Sequence, residues 1–389
     1  MSIQPMDLAL FALDNCEVIG EDGEGFELIT YPGIAGLVLR DVPGRLGGVD
    51  WQKAGYLVFD VLVHEEWSVG LNVGFWEESN LTDQPSLVFV IGVLPGVKTR
   101  IALPLSELNS QQMFQGRTPG RLKTVIHGNK VDLAAVNQIS VGVQLSSFTQ
   151  KLALTNFHLS IDEPEYPLAE VKLVDEFGQW TQKNWPGKIL SESELLNHLK
   201  SIAADDRVRS FPTDWSKYGG WTGKKFDATG YFRTQKVGET WWLVDPEGNA
   251  FYSTGLDCVR PDESGPVDGI EKWFTWLPAE EGIYRDAWKK TNWLQPSSSI
   301  NFAAVNLIRA FGETWWETWT NLTLNQMKDW GFNTVGNWSS QRFALDSKLP
   351  YVYPLEDFPQ TSSLIFRDFP DVFSEEYQDN STRFALQLH

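Results

Sequence analysis

ETWWETWTNLTLNQMKDWGFNTVGNWSS, residues 313–340, is the stretch whose reading decides the fold. Its first part places Trp316, Trp319, Thr323, Met327 and Trp330 three or four residues apart, which predicts a helix with one buried face, and Gly331 supplies its stop. A short β-forming run, FNTVGNW, follows at once. A helix that feeds directly into a strand is half of a parallel βα unit. The strand then ends in an amide, an indole and two hydroxyls, Asn337, Trp338, Ser339 and Ser340, where a residue that only packs would be Val or Leu. Parallel βα folds carry their sites beyond the C-terminal ends of the strands, so these four positions read as functional. The competing reading is that Asn337 caps the next helix and Trp338 fills the mouth.

Upstream, YFRTQK, TWWLV and AFYSTGLDCV read as strands joined at VGE and at DPEGN, where Pro246 and Gly248 suit a tight turn. A hairpin is expected there. AFYSTGLD ends in Asp257, with Arg260 just beyond it. Downstream, LPYVYPLEDF (349–358) is a third short strand candidate ending in Glu356 and Asp357, and Phe373, Tyr377, Phe384 and Leu388 keep a helical spacing. A right-handed crossover would set Asp257 and Asn337 side by side at one mouth. The stretch from about 261 to 300, with Trp273, Trp276, Trp288 and Trp293, lacks periodicity and reads as a lid or binding loop. An amide for hydroxyls, indoles for stacking and carboxylates around them suit a sugar, so Asp257, Arg260, Asn337, Trp338, Trp273 and Trp276 are the candidate substrate-binding residues. Glu313 and Glu317 sit one turn apart beside tryptophans and read as a solvated helix face.

Residues 1–165 show a different pattern. Candidates such as AGLVLRDV (35–42), YLVFDVLVH (56–64), SVGLNVGFW (68–76), SLVFVIGV (86–93) and LALTNFHLSI (152–161) alternate in hydrophobicity, with almost no helical periodicity. Seven or eight such strands predict an antiparallel β-sandwich of jelly-roll type. EPEYP (163–167) marks a boundary, and residues 166–225 form a connecting region with one helix. In SESELLNHLKSI (191–202), Ser191 and Glu194 make a capping box ahead of Leu195, Leu196, Leu199 and Ile202.

The whole chain has 389 residues, a formal net charge of -19 and a pI near 4.7. That field repels phosphate backbones and anionic lipid headgroups, which argues against nucleic-acid and membrane-surface partners. Cys16 and Cys258 lie far apart and imply neither a disulfide framework nor a metal cluster. The N-terminus lacks a basic region followed by an apolar run, so the chain as written reads as cytoplasmic, or as secreted or periplasmic if its native start is longer. Of 18 tryptophans, fifteen lie from Trp180 to Trp338. That bias gives the two regions different tasks.

WWLVDPEGNAFYSTGLDCV, NLIRAFG and MKDWGFNTVGNWS together resemble the N-terminal half of the family-50 glycoside hydrolases, the β-agarases. VDEFGQWTQKNWPGK (174–188) is similar to the segment that joins the two domains of that family. The resemblance covers residues from about 170 onward, and implies a carbohydrate-binding-module-like sandwich followed by a (β/α)8 barrel, here beginning at residue 226. It implies a polysaccharide substrate of the agarose type, a retaining mechanism with two glutamates, and neither metal nor cofactor. In the family those glutamates follow the fourth and seventh barrel strands. Residues 226–389 offer about three strands in 164 residues, against about 250 residues for a full barrel. The catalytic pair is therefore expected beyond His389, and this chain is expected to be an inactive fragment. The alternative is a non-catalytic carbohydrate-binding protein.

Overall fold

The structure is a computed structural model that describes all residues except 1, 7, 22–24, 47–50, 81–83, 111, 206, 208, 262–263, 292–294, 356–357, 367–368 and 388–389. Glu356, Asp357, Trp293 and Leu388, named above, lie outside the described residues. The chain folds as two compact units. The first comprises Met1–Val171 with Asn292–Gln295 and Phe358–His389, and the second Lys172–Thr291 with Pro296–Asp357.

The first unit is built on β1 (Ser2–Pro5), β2 (Phe11–Asp14), β3 (Cys16–Glu21), β4 (Gly25–Thr30), β5 (Gly33–Arg40), the helical turn α1 (Val42–Arg45), β6 (Tyr56–Val63), β7 (Val69–Glu77), β8 (Leu87–Val93), β9 (Thr99–Pro104), β10 (Phe114–Gln115), β11 (Arg121–Gly128), β12 (Val136–Ser146) and β13 (Gln150–Ser160). One antiparallel sheet runs β3-β4-β13-β6-β9, with β1 also on β13, and the other runs β10-β11-β8-β7-β12-β5-β2. A single core joins them: Leu28, Leu57, Phe59 and Val61 from one sheet meet Leu37, Leu39, Leu71, Phe75 and Phe89 from the other. The alternation in β6 explains the layering, since Leu57, Phe59, Val61 and Val63 turn inward while Asp60 on the outer face is held bidentately by Arg100 at 2.8 and 3.0 Å. A β-sandwich is what the sequence led us to expect, but it has more strands than expected. The unanticipated β1, β2, β3, β10 and β11 are short or lie at or next to a sheet edge.

The second unit begins with α2 (Glu192–Ala203), capped as the sequence indicates: Ser191 Oγ accepts from Glu194 N at 3.2 Å and Glu194 Oε2 accepts from Leu190 N at 2.9 Å. β14 (Trp221–Lys225), β15 (Arg233–Val237), β16 (Thr240–Val244) and β17 (Asn249–Phe251) form an antiparallel sheet, with the expected hairpin at β16-β17 across the DPEGN turn and β15 paired to the other side of β16. β18 (Gly255–Leu256) then leaves this sheet. The stretch read as irregular contains β19 (Gly265–Pro266), β20 (Trp288–Thr291) and β21 (Ser297–Ile300), a small antiparallel sheet in the order β19-β21-β20. α3 (Phe302–Phe311) and α4 (Trp315–Asp329) follow, then β22 (Thr334–Val335) and α5 (Gln341–Ser347). β18 pairs with β22 in parallel, and Val335 bridges Tyr351 in parallel on the other side. These three short parallel segments are what the described residues show of the expected barrel.

The helix read from residues 315–330 is α4, but its buried residues are Trp315, Thr320 and Met327, with Trp316 and Trp319 half-buried. Trp330 is 63% exposed, because it falls at the C-cap where the chain turns away. Met327, Val335, Phe343, Ala344 and Leu349 share one core cluster, which seats α4 and α5 against β22. The C-terminal residues form β23 (Leu364–Phe366), β24 (Phe369–Pro370) and α6 (Glu375–Gln387).

Candidate functional site

Each of the four residues that end β22 has a distinct task. The Asn337 N–H donates to Asp257 Oδ1 at 2.7 Å, and its carbonyl accepts from Cys258 N at 2.8 Å. Ser339 Oγ accepts from Val259 N at 3.0 Å, and Ser340 Oγ accepts from Phe343 N at 3.3 Å as the N-cap of α5. Asn337 and the two serines thus tie together the exits of two parallel strands and start a helix. Ser340, not Asn337, is the helix cap. Trp338 makes none of these ties: it has φ of 55° and is 63% exposed. A left-handed backbone at a bulky non-glycine residue costs about 1 kcal/mol or more, and here it turns the indole outward.

Gly336 makes this arrangement possible. A Cβ there would overlap Asp257 Oδ1 and come within 2.8 Å of the Leu256 carbonyl oxygen, which itself accepts from Gly336 N at 2.7 Å. The carboxylate therefore lies over the strand end only because the neighbouring strand has no side chain at that point. Asn337 Oδ1 is buried and has no hydrogen-bond partner. A buried acceptor left empty costs about 1–3 kcal/mol, so it is a place for a ligand donor. An exposed indole beside an unfilled amide oxygen can stack on the C–H face of a sugar ring and accept one hydroxyl proton.

Behind the mouth, Asn333 is fully buried and holds the start of β22. Its Oδ1 accepts from Thr254 N at 2.9 Å, while Nδ2 donates to Gly219 O at 3.1 Å and Tyr252 O at 3.0 Å. Asp245 is equally buried and gathers donors from Ser216 Oγ at 2.6 Å, Asn249 N at 2.8 Å and Asn249 Nδ2 at 2.9 Å. Burial pushes the Asp245 carboxyl up, but the Ser216 and Asn249 donors together outweigh it and hold the group below the ordinary carboxylate range. Beside the N-terminal ends of the parallel strands lies an apolar cleft of about 440 Å³, to which Phe251, Leu349, Tyr351 and Val352 contribute. The Asn333 bonds depend on pairings across long separations and are not marked in the sequence, whereas the Asp245–Asn249 bonds fall within the DPEGN turn that the sequence does mark.

The structure brings Asp257, Asn337 and Trp338 together, with Arg260 one residue beyond the Val259–Ser339 contact. Trp273 and Trp276 are elsewhere. Trp273 is 4% exposed and its main chain bonds Leu173 and Val174, so its ring packs instead of facing a ligand. Trp276 is half-buried, covered by the Arg309 guanidinium 4.6 Å from its ring centroid and by Tyr284 edge-on at 5.8 Å. Glu313 and Glu317 are exposed, as expected of a solvated face. Among the described residues, no group of three or more His, Cys, Asp or Glu is placed to hold a metal ion.

No protein-family model matches the chain. Beta-agarase B of Vibrio sp. (strain JT0107) is 34% identical over 207 residues, covering 46% of this chain and 22% of that protein. Beta-agarase A of the same strain is 25% identical over 291 residues, 67% of this chain and 28% of the relative. A solved exo-β-agarase structure aligns with 99% of this chain and 62% of its own, at 22% identity and a TM-score of 0.48. The chain is related to the family-50 β-agarases. The matched stretches span less than a third of either curated relative.

Proposed function

We propose that the protein works on agarose-type β-galactan, with the mouth formed by Asp257, Asn337 and Trp338 as a sugar subsite. The observation that carries this reading is the unfilled, buried Asn337 Oδ1 beside the outward-turned Trp338, at the exit of paired parallel strands. The relationship to the β-agarases supports the choice of substrate. In this reading β18, β22 and the segment at Tyr351 are the first strands of a (β/α)8 barrel, and the sandwich is its accessory module.

Cleavage by a retaining enzyme needs two carboxyl groups about 5–5.5 Å apart, one protonating the leaving oxygen and one attacking from the opposite face. Asp257 is the one acid that the hydrogen bonds above place at this mouth, and a single carboxyl group cannot fill both roles. Glu313 and Glu317 lie on an exposed helical surface. We therefore assign Asp257, Asn337 and Trp338 to binding, and expect the 389-residue chain to hold galactan without turning it over. A reducing-sugar assay on agarose with the purified chain tests this directly. Sustained release of neoagaro-oligosaccharides that Trp338→Ala weakens would place the catalytic acids within the chain and overturn the assignment.

A further inference from the structure

The last of the three parallel segments in the second unit leaves one edge open. Tyr351 bridges Val335 of β22: the Val335 N–H donates to the Pro350 carbonyl at 2.8 Å and the Val352 N–H to the Val335 carbonyl at 2.9 Å. Residues 350 and 352 therefore turn their main chain toward β22. In an extended chain residues 351 and 353 turn theirs the other way, and among the described residues neither tyrosine's main chain has a hydrogen-bond partner. This edge is apolar and uncovered: Tyr351, Val352, Tyr353 and Leu355 are between 40% and 59% exposed. Edges of that kind usually carry a device that blocks further pairing, such as a proline or an inward charge. Pro350 and Pro354 do not serve as one, since by the same alternation both fall where the N–H would face β22, and the outer row of donors stays intact.

The residues along this edge indicate what pairs with it. KLPYVYPLE, residues 348–356, reads almost the same in both directions about Val352: tyrosines flank the valine, prolines flank the tyrosines, leucines come next, and the two ends carry opposite charge. A two-fold contact between identical chains joins a surface to itself, so it needs a patch that is its own complement. An antiparallel pair centred on Val352 meets that need. It sets Tyr351 opposite Tyr353 of the second copy, where the outward N–H and C=O of each residue meet those of the other and both bonds are exchanged. The same register sets Leu349 opposite Leu355 and, by sequence, Lys348 opposite Glu356. Lys348 is exposed and has no ion-pair partner among the described residues, so its charge is available. Facing aromatic rings and facing opposite charges each stabilise an antiparallel ladder. We propose that the chain forms a two-fold dimer through this edge, residues 349–355 of one copy pairing antiparallel with those of the other. The dimer goes beyond the galactan reading and does not rest on it. The edge that a further barrel strand would use is the one the second copy takes, so the proposal concerns the 389-residue chain.

Sedimentation velocity of the whole chain, over a series of micromolar concentrations at physiological salt, tests the proposal. The 44.1 kDa chain should convert to a species of twice that mass as concentration rises, and to nothing larger, because a two-fold contact closes on itself. Tyr353→Pro removes an outward N–H while leaving the bonds among Val335, Pro350 and Val352 in place, and should be monomeric throughout. Lys348→Glu breaks no bond within the chain but sets like charges opposite each other on both sides of the dyad, so its dimer should be weaker by about fivefold or more. Adding Glu356→Lys to it should restore the wild-type affinity. Thermal melts establish that each variant is folded, and if Tyr353→Pro does not fold, the charge reversal and its rescue decide alone. A wild-type chain that stays monomeric over the series, or that grows without limit, overturns the proposal. So does a dimer indifferent to Tyr353→Pro or to Lys348→Glu, or one that Glu356→Lys fails to rescue.

Discussion

Replacing Gly336 by alanine should disturb the mouth more than any change to an exposed residue there. The new Cβ would overlap Asp257 Oδ1 and lie 2.8 Å from the Leu256 carbonyl oxygen. The carboxylate can swing away, but it then gives up the 2.7 Å bond from Asn337 N, and the Leu256 carbonyl must shift by a few tenths of an ångström as well. Overpacking of this kind costs about 1–3 kcal/mol, and we take about 2 kcal/mol. For a unit of this size that corresponds to a fall of roughly 4–8 °C in Tm. Tryptophan fluorescence is a suitable monitor, since fifteen of the 18 indoles lie from Trp180 to Trp338. Asp257→Ala alone should cost less, because its carboxylate faces solvent. In the double variant the overlap with Oδ1 is gone, so the combined loss should fall short of the sum by about 0.5 kcal/mol or more. A Gly336→Ala protein melting within about 1 °C of wild type, or a strictly additive double variant, would refute the idea that Gly336 exists to admit Asp257.

Three further outcomes follow from the same structure. Asp245 is held ionised below its usual range, so its stabilisation is present above the unfolded value of about 4 and is lost as pH falls through the lower folded value; melts from pH 6 to pH 2 should therefore fall more steeply for wild type than for Asp245→Asn. Phe59 is fully buried between the two sheets, and Phe59→Ala should destabilise the sandwich by about 3–5 kcal/mol in urea unfolding. Ser340→Ala removes the N-cap of α5 and should cost about 1 kcal/mol, with Ser340→Asp restoring most of it.

The sequence carried the strong local signals and lost those that depend on pairing. Ser191 and Glu194 announced α2 because a capping box is a contact between near neighbours. The inward alternation of Leu57, Phe59 and Val61 announced the sandwich for a similar reason. α5 enters the sequence reading only as the helix that Asn337 would cap, since seven residues are too few to establish a helical period and its buried residues are only Phe343, Ala344 and Ser347. Asn337 and Asp257 could be placed at one mouth from strand order, yet nothing local shows that the Asn337 backbone binds Asp257 while its side-chain oxygen stays empty. Trp273 misled because an indole has the same spacing pattern in a core as at a surface; only its 4% exposure separates the two.

The central claim is that Trp338 and Asn337 hold a sugar unit. Calorimetric titration of the wild-type chain with neoagarohexaose, repeated with Trp338→Ala and Asn337→Ala, addresses it most directly. Losing the indole face removes about 1.5–3 kcal/mol of apolar contact, so the component of the isotherm belonging to the mouth should weaken roughly tenfold or more. Asn337→Ala should weaken the same component, with Tm little changed, because its side-chain oxygen has no protein partner to lose. Two correctly folded variants that bind neoagarohexaose with wild-type stoichiometry and affinity would contradict the account.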